Sequence, residues 1–290
     1  MAAEPDRWQR FTAVAGIVSV LLVGVGLVLT NDFNRDQLAL QQTTAQQQQD
    51  LALKGQRAER FIRAVDQLGQ EGDNKLGIRL GGIYALEALM KEFSTDQNVV
   101  TEVLCAFVRS HAPWREEDKA IPDAQPDVRA AMTVLGRRPD PDRHAPLDLS
   151  NTALGLEDFN LPGASFRDVD LSVSNFNDAK LPRADLRGSD VSQAYLKRAD
   201  LRDADLTGVD LTSTSLRATN LTGASLRNVN FAKADLTGAD LSGADLAAIS
   251  GSLTDAQLSC VKTDAATRLP TGLNAPPADA WRQPRCAVER

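Results

Sequence analysis

Histidine and cysteine are scarce in this 290-residue chain, and with them goes much of the usual catalytic and metal-binding repertoire. The two histidines, His111 and His144, fall in a helix end and a linker, with no HExxH and no second ligand nearby, so both read as surface or capping residues. Three cysteines are present without a CxxC, which removes a zinc knuckle. Cys260 and Cys286 have the option of pairing outside a reducing compartment, but free thiols are the expectation for both. Nucleophile-elbow, Walker and kinase signatures are all missing. An enzyme hidden in the helical part would have only Asp, Glu, Tyr84, Cys105 and His111 to work with, and no constellation links them. The sequence therefore predicts a non-enzyme with no cofactor and no metal. A net charge of -7 is mildly acidic and gives no reason to expect a nucleic-acid partner. Arginine outnumbers lysine and alanine is abundant, which leans toward a bacterial source.

Long apolar runs are also absent, with one exception. Residues 11–30 read FTAVAGIVSVLLVGVGLVLT, twenty residues without a charge, behind Arg7, Trp8 and Arg10. At 1.5 Å per residue such a helix spans about 30 Å, the thickness of a bilayer core. The run is longer than a signal-peptide core and lacks a small-x-small site after it, so an uncleaved anchor in a cell membrane is expected. The basic residues on its two sides nearly balance and leave the side of the soluble region open. Gly24 and Gly26 are two apart and make no GxxxG seam.

The feature that is abundant is a period of five. The stretch from 234 to 246 reads ADLTGADLSGADL. Stepping in fives, Leu161, Phe166, Leu171, Phe176, Leu181, Leu186, Val191, Leu196, Leu201, Leu206, Leu211, Leu216, Leu221, Leu226, Phe231, Leu236, Leu241 and Leu246 are all apolar, and Leu156 extends the register. Two residues earlier runs a register of small residues, mostly Ala and Val, with Ser174, Ser189, Thr214 and Thr219 among them. On an α-helix five residues advance by about 500°, which scatters the leucines around the cylinder. On a strand an odd period alternates faces and leaves neither dry. What remains is a chain that turns a corner every five residues, so that four sides close a coil of twenty. Coils stacked at ~4.8 Å would build a rod on the order of 20 Å tall. Corner Asp and Asn side chains are then expected to accept backbone hydrogen bonds rather than bind calcium.

The tandem A(D/N)Lxx pattern resembles the pentapeptide-repeat family, and the resemblance covers about a third of the chain. It implies a right-handed quadrilateral β-helix. Ahead of it, RLGGIYALEAL, VVTEVLCAFVRSHAP and DVRAAMTVLGRR resemble a helical module that often precedes such repeats in bacterial membrane-associated proteins, one HEAT-like helix pair with a third helix. Gly81 and Gly82 are expected to admit a neighbouring helix, Thr95 and Asp127 to cap helices, and Thr254 to cap a closing helix.

The fold class expected is α+β multidomain. A short flank over 1–10 precedes a single transmembrane helix over 11–30, a polar stalk helix or linker over 31–59 and an α-helical module over 60–136. A linker over 137–146 leads to the β-solenoid over 147–250, with a capping helix and irregular tail over 251–290. Residues twenty apart stack, which puts Arg167, Arg187 and Arg227 in one surface column and Asp170, Asp190 and Asp210 in another. These two columns are the candidate interaction surface, facing a protein partner that the sequence does not name. The alternative is a DNA-mimicking, topoisomerase-binding protein, as some members of the resembled family are. Fifteen acidic residues against ten basic ones over 147–250 make a poor match to the dense anionic face that mimicry needs.

Overall fold

The computed structural model describes residues 7–115, 125–139, 147–154 and 160–288. Leu156, His144 and most of the expected linker lie outside that set, as do the side chains of Arg7, Trp8 and Arg10. The chain divides into two compact units, Met1–Glu59 and Arg60–Arg290.

The first unit is the greater part of helix α1 (Arg7–Leu68), which runs unbroken through the glutamine-rich segment. Its apolar side chains, among them Leu21, Leu22, Leu38, Leu40, Leu51 and Leu53, are exposed. The hydroxyls of Thr30, Thr43 and Thr44 donate to carbonyls four residues back, so these polar side chains are satisfied within the helix.

The second unit begins with the last turns of α1, followed by α2 (Leu76–Glu92), α3 (Gln97–His111) and α4 (Pro126–Gly136). Their apolar stripes meet in one core of Ala64, Leu68, Ile83, Leu86, Met90, Val100, Leu104, Val108, Val128, Met132 and Leu135. Gly82 is where α2 touches α1: a Cβ there would stand 2.7 Å from the Ala64 carbonyl oxygen. A buried ion pair fastens α4 to α2, with Arg79 Nε donating to Asp127 Oδ2 at 2.5 Å. The same guanidinium donates to the carbonyls of Gln70 and Gly72, both at 2.9 Å, and so holds the turn between α1 and α2. Two caps differ from expectation. Asp96, not Thr95, stands at the N-cap of α3. Gln125 precedes α4 because Pro126, with no N–H to satisfy, takes its first position, so Asp127 sits inside the helix and turns to Arg79.

Among the described residues the repeat region contains two formal strands, β1 (Leu147–Asp148) and β2 (Val169–Asp170), paired in parallel. The remaining pairing is isolated bridges, all parallel except Pro113 with Thr152 and almost all between residues twenty apart. They fall into four ladders, through Asn160, Lys180, Asp200, Asn220 and Asp240; Ser165, Asp185, Asp205, Ser225 and Asp245; Asp170, Asp190, Asp210 and Asn230; and Asn175, Tyr195, Ser215 and Asp235. The pairing is this sparse because a five-residue period leaves room for one bridge between consecutive turns. Most turns are closed by a bond such as Ala204 N–H to Leu201 O at 3.2 Å. The residue two after each apolar position takes positive φ from Gly163 through Gly243, whether it is glycine or not. The apolar register is buried from Phe166 to Leu246, with Leu161 partly buried. Ser174, Ser189, Thr214 and Thr219 are buried too, and each hydroxyl donates to a carbonyl of the preceding coil, as Thr219 Oγ1 does to Leu196 O at 2.7 Å.

Both ends of the stack are covered. At the first, Ser165 N–H donates to Gly136 O at 2.7 Å, Ala153 N–H to Ala112 O at 2.8 Å, and the buried Arg138 guanidinium to Ser165 O at 2.8 Å. At the second, α5 (Asp255–Leu258) opens with a capping box between Thr254 and Gln257. The Gln257 amide donates to the carbonyls of Phe231 and Ala234, at 2.9 and 3.0 Å. The tail then extends two ladders, through Asp240 to Lys262 and Asp245 to Arg268. The expectation of free thiols at Cys260 and Cys286 is corrected: the two form a disulfide, because the irregular tail returns over the last coil and brings their Cα atoms to 5.3 Å. Cys105 is free and buried.

Candidate interaction surface

Arg167, Arg187 and Arg227 each follow an apolar residue of the register and therefore project from one side of successive coils. The coil between the second and third has Thr207 in the same place. The acidic ladder beside them, Asp185, Asp205 and Asp245, answers these arginines. Arg187 Nη2 lies 2.5 Å from Asp185 Oδ2, and its Nε 3.4 Å from Asp205 Oδ2. Arg167 Nε is 3.7 Å from Asp185, and Arg227 Nε is 3.6 Å from Asp245, which Arg268 also approaches at 3.3 Å. The column is thus an ion-pair network running along the stack. At Asp185, partial burial would raise the carboxyl, but the hydrogen bonds and charge of Arg187, with Arg167 behind it, outweigh that and hold it below the usual carboxylate range.

Asp170, Asp190 and Asp210 stack as successive members of one ladder. Each turns one carboxylate oxygen inward along the chain: Asp170 Oδ1 accepts from Ser172 N–H at 2.9 Å and Ser172 Oγ at 2.7 Å, Asp190 Oδ1 from Ser192 N–H at 2.9 Å, and Asp210 Oδ1 from Thr212 N–H at 2.9 Å. The same two-residue reach recurs at Asn175, Asp200, Asp205, Asn220, Asp235, Asp240 and Asp245, so the motif aspartate is first a corner brace. The residue that sequence reasoning missed is the one at positive φ. Its signal was an enrichment of Gly, Asp and Asn two places after each leucine, diluted by Val173, Arg183, Gln193 and Lys233.

A cleft of about 340 Å³ between α3 and β1 is lined by Asn98, Thr101, Glu102, Cys105, Arg109, Leu147 and Asp148. Burial pushes the Cys105 thiol up to about 12, which keeps it protonated and a poor nucleophile near neutral pH. Arg109, a cation lining the cleft, is paired with Asp148. His111 lies in its helix end, stacked on Phe107 at 4.0 Å, with Nδ1 2.8 Å from Ser110 Oγ. Among the described residues no group of three or more His, Cys, Asp or Glu is arranged to hold a metal ion.

The family model for pentapeptide repeats matches residues 156–188, 181–217 and 210–247, in eight copies. Residues 156–247 are a pentapeptide-repeat segment. Among solved structures, a pentapeptide-repeat protein of the Arabidopsis thaliana thylakoid lumen is 28% identical, with 47% of this chain and 86% of that one covered and a TM-score of 0.31. A pentapeptide-repeat protein from Nostoc PCC 7120 is 25% identical over 41% of this chain and 86% of its own, also at 0.31. HetL, a pentapeptide-repeat protein involved in heterocyst differentiation regulation in Nostoc strain PCC 7120, is 33% identical over 42% of this chain and 55% of its own, at 0.23. No curated protein matches the chain.

The expected single-pass placement in a cell membrane is corrected. The finding that stands against it is that the first of the similar structures is of a protein from a thylakoid lumen. Among the described residues the one candidate span, within Val18–Leu68, qualifies by length and composition alone, criteria that a signal sequence also meets.

Proposed function

We propose that the chain presents its pentapeptide repeats as a rigid scaffold for a protein partner, through the columns of Arg167, Arg187 and Arg227 and of Asp170, Asp190 and Asp210. The reading includes the right-handed, four-sided coil that the sequence pattern implies, with the rod over 147–250, the helical module over 60–136 at one end and the cap and tail over 251–290 at the other. The observation that carries it is the ladder geometry. Side chains twenty residues apart are held in register by backbone bridges, so their spacing is fixed before any partner arrives. A preorganised surface loses little conformational freedom on binding, which is where flexible surfaces lose affinity. The apolar N-terminal helix is not required by this reading.

The test is capture of crosslinked partners with the full chain, comparing the native protein with the triple variant Arg167→Glu, Arg187→Glu, Arg227→Glu and with Arg202→Glu on a different column as a charge control. Loss of a specific partner in the triple variant only, at an unchanged far-ultraviolet dichroism spectrum, is the expected outcome. Equal recovery from all three proteins removes this face from the proposal. No observation favours topoisomerase-directed DNA mimicry. Of the aspartates that could build its anionic face, Asp185, Asp178, Asp200 and Asp235 are already paired with Arg187, Arg198, Arg202 and Arg217.

A further inference from the structure

The two halves of the Cys260–Cys286 disulfide meet at one corner of the last coil. Gly238 N–H donates to the Cys260 carbonyl at 2.9 Å. A Cβ on Gly238 would stand 3.0 Å from Val288 Cγ2 and 3.7 Å from the Cys286 carbonyl oxygen, so the chain just after Cys286 lies in the space a side chain would fill. Gly238 is at φ 74°, and the three residues stacked beneath it at intervals of twenty, Asp178, Arg198 and Ala218, all carry side chains at the same corner. Within that column, the corner that receives the tail is the one left bare.

Little else holds that tail. Among the described residues from 274 to 288, the hydrogen-bonded ties to the rest of the chain both run from Asn274 to Asp255: its N–H donates to Oδ1 at 3.1 Å and its side-chain amide to Oδ2 at 3.4 Å. The remaining backbone bonds there are local turns, such as Cys286 N–H to Gln283 O at 2.8 Å. The ring of Trp281 lies 5.0 Å from the guanidinium of Arg282, which is exposed, and 5.9 Å from Nζ of Lys262, which is partly exposed. Yet Cys286 and Ala280 are buried, 2% and 1% exposed. A nearly unbonded segment with two buried residues is held by its covalent link.

We propose that residues 274–288 form an oxidatively closed clasp, seated on the Gly238 corner only when the Cys260–Cys286 bond is made, and that the chain therefore matures where dithiol–disulfide exchange operates. In the closing step the Cys260 and Cys286 thiols give up two protons and two electrons as the S–S bond forms. A disulfide of a thiol oxidoreductase accepts them and leaves as the dithiol. Cys105 takes no part, because it is enclosed in the helical core and lies on a different element.

Thiol counting on the full chain tests the first half. The protein is taken from its native source, denatured without reductant and reacted with a maleimide mass tag. One tag, on Cys105, is expected before reduction and three after it. Three tags before reduction overturn the proposal. Limited trypsin digestion tests the second half, since Arg282 and Arg285 lie within the segment closed by the bond. Cleavage there is expected to be at least tenfold faster in reduced protein and in Cys286→Ser than in oxidised protein, while the repeats over 160–246 resist equally in all three. Equal cleavage rates overturn the clasp, and faster cleavage in the repeats as well shows that the bond supports the whole stack rather than the tail.

Discussion

Val173 is held at φ 56°. For a β-branched residue this is a strained backbone, costing on the order of 1–2 kcal/mol relative to glycine by the sterics of the left-handed region. The fold tolerates it because bridges on either side fix the corner, and the same holds more mildly at Arg183, Gln193 and Lys233. Val173→Gly should therefore raise stability by about 1 kcal/mol after the larger unfolded-state entropy of glycine is subtracted, measured by urea unfolding. A loss of stability would mean that the valine methyls make contacts worth more than the strain.

Acid sensitivity is also set residue by residue. At Asp235 and Asp240 partial burial acts to raise the carboxyls, but hydrogen bonds from Thr237 and Arg217, and from Lys262 and Ser242, hold both below the usual range. Asp200 is lowered chiefly by its hydrogen bonds from Arg202. A carboxyl depressed in the folded state contributes stability that is complete above its unfolded pKa, about 3.9, and is lost as pH falls through the folded value. The melting temperature of residues 60–290 should be flat between about pH 5 and 7 with respect to these groups and fall below about pH 4, which calorimetry across that range will read. The leucine register was legible in the sequence because burial repeats at every side. The left-handed corner was not, because the backbone imposes it on whatever side chain is there, and only some positions resolve the strain with glycine.

At the scale of elements, the unit is the coil of twenty. Inserting one residue after Thr212 shifts every later leucine out of the core and misaligns four ladders at once, so it should lower the melting temperature sharply or prevent folding. Deleting 192–211 removes one whole coil and restores the phase, so the shortened protein should fold with the same dichroism spectrum and a lower but cooperative melt. If both variants melt alike, the ladders are not what holds the segment together. The helices of the module were readable from their apolar spacing, and Gly82 from its place in the contact with α1. The start of α4 was not, since Pro126 displaced the capping role onto Gln125 and freed Asp127 for a partner 48 residues away. Such a pair depends on which helices become neighbours, information that the local sequence does not hold. The disulfide escaped for the same reason, because its closure depends on the path of an irregular tail.

At the scale of the molecule, a stack of bridged coils has two raw ends, and unpaired edges invite other chains. Here α4 and Arg138 cover the first, and α5, Gln257 and the tail cover the second. Truncation after residue 250 should expose the carbonyls and leucines of the last coil and produce concentration-dependent self-association in size-exclusion chromatography. A truncated protein that elutes as the parent does at all concentrations would show the cap to be dispensable. The surface columns were readable as columns from the period alone. Their internal pairing was not, because Arg187 answers acids on its own side and on the next coil together.

The bridges between residues twenty apart also decide how the repeats give way under load. Pulled along its axis, such a stack surrenders one turn at a time, and each turn pays out roughly 70 Å of slack backbone at 3.3–3.6 Å per residue. The fold is thus a spool as much as a post, and the sulfur link at its far end shortens only the loop that it closes, leaving the turns of the repeats free to run.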